Sequence, residues 1–216
     1  MRLSPTLSAC AFVLGSAAAA SAADDALPPE KPTTPYEATV RNSFDISRPG
    51  GGSSGSDTVE IRVSGARLYE KSKLLPEKAV IVDADKGEVI DFDPDTHDEP
   101  KIAGRFDLND APIPYVHGRS AIASYDSSWG PPKIAGEDEV AKQKCTVLHY
   151  GDPATRGVAA CVSKQGVVMR MKIVLPDYER DFELLEFHDG APDEKWFRVP
   201  EGFQIVAPEP QPALEE

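Results

Sequence analysis

The chain has 216 residues, 23 of them Lys or Arg and 36 Asp or Glu, for a formal net charge of −13 and a pI near 4.8. That length suits one domain of moderate size, and an acidic balance with no Lys/Arg stripe excludes a nucleic-acid binder. A 40% hydrophobic content excludes global disorder, and 20 prolines disfavour long helices.

Arg2, the apolar run centred on Ala11-Phe12-Val13-Leu14 and the closing Ala20-Ser21-Ala22 read as a signal peptide over residues 1–22, cleaved before Ala23. Cys10 stands ahead of the apolar run, whereas a lipobox cysteine follows it, so a soluble periplasmic protein is expected rather than a lipidated one. No other segment approaches the roughly 18 apolar residues of a membrane span, so no transmembrane segment is expected. Residues 23–35 carry Pro28, Pro29, Pro32 and Pro35 among charges and are expected to form a disordered leader. A single β-rich domain should then occupy 36–206, and the Pro/Glu-rich segment 207–216 should be a disordered tail.

Within the domain the dominant period is two. Tyr36, Ala38, Val40, Phe44 and Ile46 fall on one face of a strand and Glu37, Thr39, Arg41, Ser43 and Asp45 on the other, with Asn42 as the break in the apolar stripe. Gly50 to Gly55 reads as a flexible connection to a second alternating strand around Val59, Ile61 and Val63, which makes a hairpin. Further strands are expected at 66–73, 79–83, 89–92 and, more weakly, 102–108. A short helix fits 120–127, and strands at 144–150, 158–163, 167–174 and 181–188 come after it, with a tight turn at Gln165-Gly166. About ten strands at such short spacings imply an antiparallel meander.

Loss of Cys10 with the signal leaves Cys145 and Cys161. An even count in an oxidising compartment reads as a disulfide. A hairpin centred on residue 153, inside Gly151-Asp152-Pro153-Ala154-Thr155, would set the two cysteines directly opposite one another, within bridging reach. Closing a loop of this size stabilises by roughly 3 kcal/mol in the chain-entropy picture.

No active site emerges. Gly51-Gly52-Ser53-Ser54-Gly55 matches G-x-S-x-G, but a nucleophile elbow needs a strand on one side and a helix on the other. Asp91, Asp93 and Asp95 alternate like the start of an EF-hand loop, yet Thr96 and Ile102 stand where Gly and Glu are required. The acidic loop 91–99, with Asp98 and His97, therefore reads by default as solvated, a weak cation site being the alternative. His97, His117, His149 and His188 have no zinc spacing. No cofactor, metal or catalytic residue is expected.

Two apolar stripes remain. Val167, Met169, Met171 and Ile173 share one face by alternation, as do Phe182 and Leu184. Methionines among branched residues make an adaptable lining, although the same periodicity describes plain core packing, and periodicity alone leaves both readings open.

The run Glu137-Asp138-Glu139-Val140-Ala141-Lys142-Gln143-Lys144-Cys145 is similar to a "VAGxxC" lead-in to a strand. After it come Ala160-Cys161-Val162-Ser163-Lys164-Gln165-Gly166-Val167-Val168-Met169-Arg170-Met171 and Phe197-Arg198-Val199-Pro200-Glu201-Gly202-Phe203. The series resembles the C-terminal half of the periplasmic lipoprotein-carrier (LolA/LolB-like) superfamily, including members of unknown function. The likeness covers chiefly residues 137–205. It implies an open, strongly curved antiparallel sheet, a half-barrel, around an apolar cavity that holds acyl chains of lipoproteins or other envelope lipids. Carrier members open with an amphipathic helix where this chain has its Pro-rich leader. The expectation is thus a mainly β half-barrel with at most one or two short helices. It would be a non-catalytic binder of a lipid or acyl ligand, lined by Val40, Phe44, Met169, Met171 and Phe182. An envelope structural or interaction module with a solid core and a protein partner is the alternative, and a metal-binding protein or hydrolase a second one.

Overall fold

The computed structural model describes residues 27–48, 51–73, 78–108, 118, 122 and 126–207. The signal peptide expected over 1–22, the start of the leader and the tail from 208 on lie outside the described residues.

Two meanders make one sheet. The first runs through β1 (Tyr36–Arg48), β2 (Gly51–Ser64), β3 (Arg67–Ser72), β4 (Ala79–Asp83), β5 (Glu88–Phe92) and β6 (Lys101–Asp107). The second runs through β7 (Lys133–Val140), β8 (Gln143–Asp152), β9 (Arg156–Ser163), β10 (Val168–Leu175) and β11 (Tyr178–Asp189), and β12 (Phe203–Val206) closes the chain order. β1 pairs antiparallel with β11 and joins the halves in the order β12-β6-β5-β4-β3-β2-β1-β11-β10-β9-β8-β7, an open, curved sheet. The meander expectation holds within each half. β12 departs from it by pairing parallel to β6, which the chain reaches by crossing over after β11.

Several boundaries differ from the sequence reading for identifiable reasons. The Gly/Ser run expected as a loop is strand: Gly52 pairs with Ser47 and Gly55 with Phe44. β7 escapes the alternation test because only Val140 along it is buried. Its two-residue link to β8 is made by Ala141 and Lys142, both with positive φ (48° and 62°), so the turn carries none of the Asn-Gly chemistry that flags such hairpins. The helix expected at 120–127 lies largely outside the described residues; a 3-10 turn occupies Ser127–Trp129.

The disulfide forms between Cys145 and Cys161, with Cα atoms 5.3 Å apart. The hairpin is centred one residue later than expected, however. Cys145 faces Ser163 and Val147 faces Cys161, so the bridge runs diagonally across β8 and β9, a diagonal that the right-handed twist of paired strands can shorten.

Part of the expected loose leader is held in place. The Thr33 amide donates to the Gln165 carbonyl at 2.9 Å, and Pro28 is buried. Gly166 (φ 84°) permits this approach, since a Cβ there would stand 2.6 Å from the Lys31 carbonyl oxygen.

Candidate functional site

Directly paired residues of neighbouring strands share a face, so the register reads out the sheet's surface row by row. One row holds Phe187, Ala38, Ile61, Glu70 and Val80; the next on the same face holds Leu184, Val40, Val59 and Ser72. A third holds Ala160, Met171, Phe182, Asn42 and Asp57, and a fourth Val158, Ile173, Arg180, Phe44 and Gly55. The face is apolar at both sides, and Glu70, Ser72, Asp57, Asn42 and Arg180 cross it as a diagonal polar seam.

The apolar parts are packed. Val40, Ile61, Val63, Leu68, Val82 and Val89 belong to one cluster, and Leu148, Tyr150, Val158, Ala160, Met171 and Ile173 to a second; Phe182 packs against both. Ile122 and Trp129, from the segment between β6 and β7, pack into the second cluster. Trp129 is anchored by its own turn: the Asp126 carboxylate accepts from the Ser128 amide at 2.9 Å, from the Ser128 hydroxyl and from Arg156 Nη2 at 2.8 Å. Those bonds, the Ser128 hydroxyl foremost, pull the Asp126 carboxyl down to about 2. The indole Nε1 of Trp129 is buried with no hydrogen-bond partner among the described residues.

Along the seam the polar groups are unequally satisfied. Arg180 Nε donates to Asn42 Oδ1 at 2.8 Å, which explains the break in the β1 stripe: the interruption is where Arg180 docks. Asp57 accepts from the Ser72 hydroxyl and from the Lys73 amide at 3.2 Å. The Glu70 carboxylate, half-buried on the row between Ile61 and Val80, accepts no hydrogen bond from a described residue. Burial raises the Glu70 carboxyl above the ordinary carboxylate range, Asp57 adds repulsion, and Arg180 opposes both. Tyr36, also on this face, is raised by its own burial and then by Glu70.

The five residues expected to line a cavity are distributed rather than gathered. Val40 (1% exposed) and Met169 (0%) are sealed in the first cluster and Met171 is buried in the second. Phe182 is half-buried between them, and Phe44 is 37% exposed. Met169 packs in the first cluster and Met171 in the second. The β9–β10 register slips between Val168 and Arg170, so Val168, Met171 and Ile173 pair with Val162, Ala160 and Val158, while Met169 is the extra residue of a bulge. Sequence reasoning missed Glu70. Its signal was parity, since Leu68, Glu70 and Ser72 alternate with Tyr69, but Tyr69 is buried on the other face against Trp196 and hides the alternation.

Pockets lined by described residues are open to solvent. One of about 250 Å³ lies between Arg41, Ser43, Asp181, Phe182, Glu183 and Arg170, crossed by the Arg41–Glu183 ion pair. The acidic loop 91–99 spends its carboxylates locally: Asp93 accepts from the Asp95 amide at 2.9 Å and Asp95 from Lys71 Nζ at 2.8 Å. Among the described residues no three His, Cys, Asp or Glu side chains are grouped to hold a metal. No helix among them is long and apolar enough to cross a membrane.

The described residues thus form one open, curved, mainly antiparallel sheet with a covered apolar face. An uncharacterized conserved protein of Thermus thermophilus superposes with a TM-score of 0.51 at 11% identity, over 81% of this chain and 91% of that one. A chain of the MucA/MucB complex of Pseudomonas aeruginosa superposes at 0.48 and 17% identity, over 81% of this chain, which spans 58% of that chain's length. A LolA superfamily protein of Nitrosomonas europaea gives 0.39 and 10% identity, over 78% and 91% of the two chains. At such identities the likeness is one of fold alone. No protein-family model and no curated protein matches the sequence.

Proposed function

We propose that the chain is a periplasmic, non-catalytic binding protein for an amphiphilic ligand of the envelope, a lipid or an acylated molecule. It is exported by a signal peptide over 1–22 and built as one domain over 36–206. The observation that carries this reading is the face just described: apolar rows on β1–β5 and β8–β11, meeting at Phe182 and crossed by a polar seam. Apolar surface receives chains by the hydrophobic effect, and a few polar groups at its margin orient a head group. Phe182 and Phe44 are placed to meet the ligand first. Met171 would be uncovered by displacement of Trp129, with Val40 and Met169 as the wall behind.

Native mass spectrometry of protein purified from the envelope fraction, without detergent, tests the reading, with Trp129 fluorescence as a second readout. A co-purifying lipid mass, and an emission shift on adding short-chain lipid that is lost in Trp129→Phe, are expected. An unliganded protein whose emission no lipid changes would overturn it.

The sealed positions of Val40 and Met169 favour a second reading, an envelope interaction module with a solid β core. Capture of an envelope protein that depends on residues 24–35 or 207–216, with no bound lipid, would select it.

A further inference from the structure

The strands at one end of the sheet, in the order β10-β9-β8-β7, carry a single row of four side chains. Asp138 pairs with Cys145, the disulfide joins Cys145 to Cys161, and Cys161 pairs with Arg170, so all four lie on one face. In a flat sheet Asp138 and Arg170 would stand three strand spacings apart, about 14 Å. The sheet curls enough here for β7 to reach β11 as well, and Arg170 Nη2 donates to the Asp138 carboxylate from the far side of the row. The ion pair therefore arches over the bridge, whose cysteines are 4% and 3% exposed. We propose that the Asp138–Arg170 pair is a latch over the Cys145–Cys161 bridge, which keeps thiols, free or on an oxidoreductase, away from the disulfide for as long as the chain is folded.

Exchange begins when a thiolate attacks one sulfur from the side opposite the bond that breaks. For Cys145 that side is toward β7, where the Asp138 carbonyl oxygen stands 3.6 Å from Sγ. For Cys161 it is toward β10, where Arg170 is rooted. From above, the two joined side chains close the row. Charge acts in the same sense. The Asp138 carboxylate accepts from the Glu139 amide at 2.7 Å, and this bond, with Arg170, holds its carboxyl below the ordinary range, so it is ionised wherever thiolates form. Paired to it, Arg170 offers an incoming thiolate no free cation. With Asp138 neutral, Arg170 would both leave the row open and attract the thiolate. None of this depends on what the protein binds.

Reduction of the folded, full-length exported protein would be timed by alkylation and mass spectrometry with an anionic thiol, 2-mercaptoethanesulfonate, and a cationic one, cysteamine. Two equivalents of reagent become their own disulfide as the bridge becomes two thiols. Asp138→Asn should speed reduction by the anionic thiol about fivefold, the scale that a surface ion pair can gate, and reduction by cysteamine less, because the freed Arg170 draws only the anion. Arg170→Gln should open the same row with the reverse preference, since it leaves Asp138 unpaired. The double variant should be no faster than the faster single one, because either change releases the same latch. Unchanged rates, or effects of the two substitutions that multiply, would overturn the proposal, and either single variant decides if the other does not fold. Low urea separates a latch from general loosening. A local opening exposes little surface, so the rate in the natural chain should barely change below the unfolding transition. A rate that climbs steeply with urea there would show that the bridge is reached only through global unfolding, and the latch would be refuted.

Discussion

The guanidinium of Arg62 lies 3.8 Å from the ring centroid of Trp196, 134 residues further along the chain. Arg62 is held for this by Glu37 at 3.2 Å and Glu60 at 3.3 Å, and Trp196 also meets Tyr69 with ring centroids 5.3 Å apart. Arg67 and Glu194 add a two-pronged ion pair at 2.6 and 2.7 Å. Together these strap residues 190–203 over the opposite face of β3–β6, where Phe203 packs on Phe92.

Trp196→Ala removes the ring from both Arg62 and Tyr69 and should cost roughly 1–3 kcal/mol. The strap should also loosen before the sheet does, so limited proteolysis should cleave beyond Asp189 faster than elsewhere. Unchanged cleavage in this segment would show that Trp196 does not hold it.

The Cys145–Cys161 bridge closes a loop between residues 16 apart in sequence. Replacing both cysteines by alanine should lower stability by about 3 kcal/mol through greater freedom of the unfolded chain. Urea denaturation of the double variant measures it, and thiol alkylation of native exported protein should find neither cysteine reactive. A double variant as stable as the natural chain would mean that the β8–β9 hairpin is already fixed without the link.

Glu70 gives stability a pH dependence of definite sign. Its folded carboxyl is raised above its unfolded value, by burial first and by Asp57, with Arg180 acting the other way and Tyr36 sharing the face. Such a group favours the folded state fully only below the unfolded pKa, ordinarily ~4.3 for Glu, and loses that contribution as pH rises through the folded pKa. Glu70→Gln should therefore melt higher than the natural chain at pH 7 to 8, and the gap should close toward pH 4. A gap that is constant with pH, or of opposite sign, would contradict the enclosure of Glu70.

Local chemistry made much of this arrangement legible. Alternation placed β1 and the distal part of β2, and the break at Asn42 marked where Arg180 arrives from 138 positions away. Residues whose role depends on a partner far along the chain were not legible. β7 shows no periodicity because one face meets solvent and the other is little covered; even Ile134 is 40% exposed. β12 is defined by its pairing with β6, and the bulge at Met169 by a slip against β9, neither of which leaves a local pattern. Glu70 left no local signal because the adjacent Leu68 and Tyr69 are both buried, so β3 shows no alternation that would assign it a face.

The contact between leader and sheet yields the last prediction. Gly166 has φ 84°, which disfavours any side chain, and a Cβ would stand 2.6 Å from the Lys31 carbonyl oxygen and 3.0 Å from that of Pro29. These obstacles are backbone atoms, so a side chain at 166 must push the leader off the β9–β10 turn. Gly166→Ala should cost about 1–3 kcal/mol, from the left-handed backbone and the lost packing together. Its distinguishing effect should be local: the Thr33 amide, bonded to the Gln165 carbonyl at 2.9 Å, should exchange hydrogen much faster while the amides of β10 keep their protection. Thr33 exchange that is already rapid in the natural chain would mean that the leader rests on the turn without being held there.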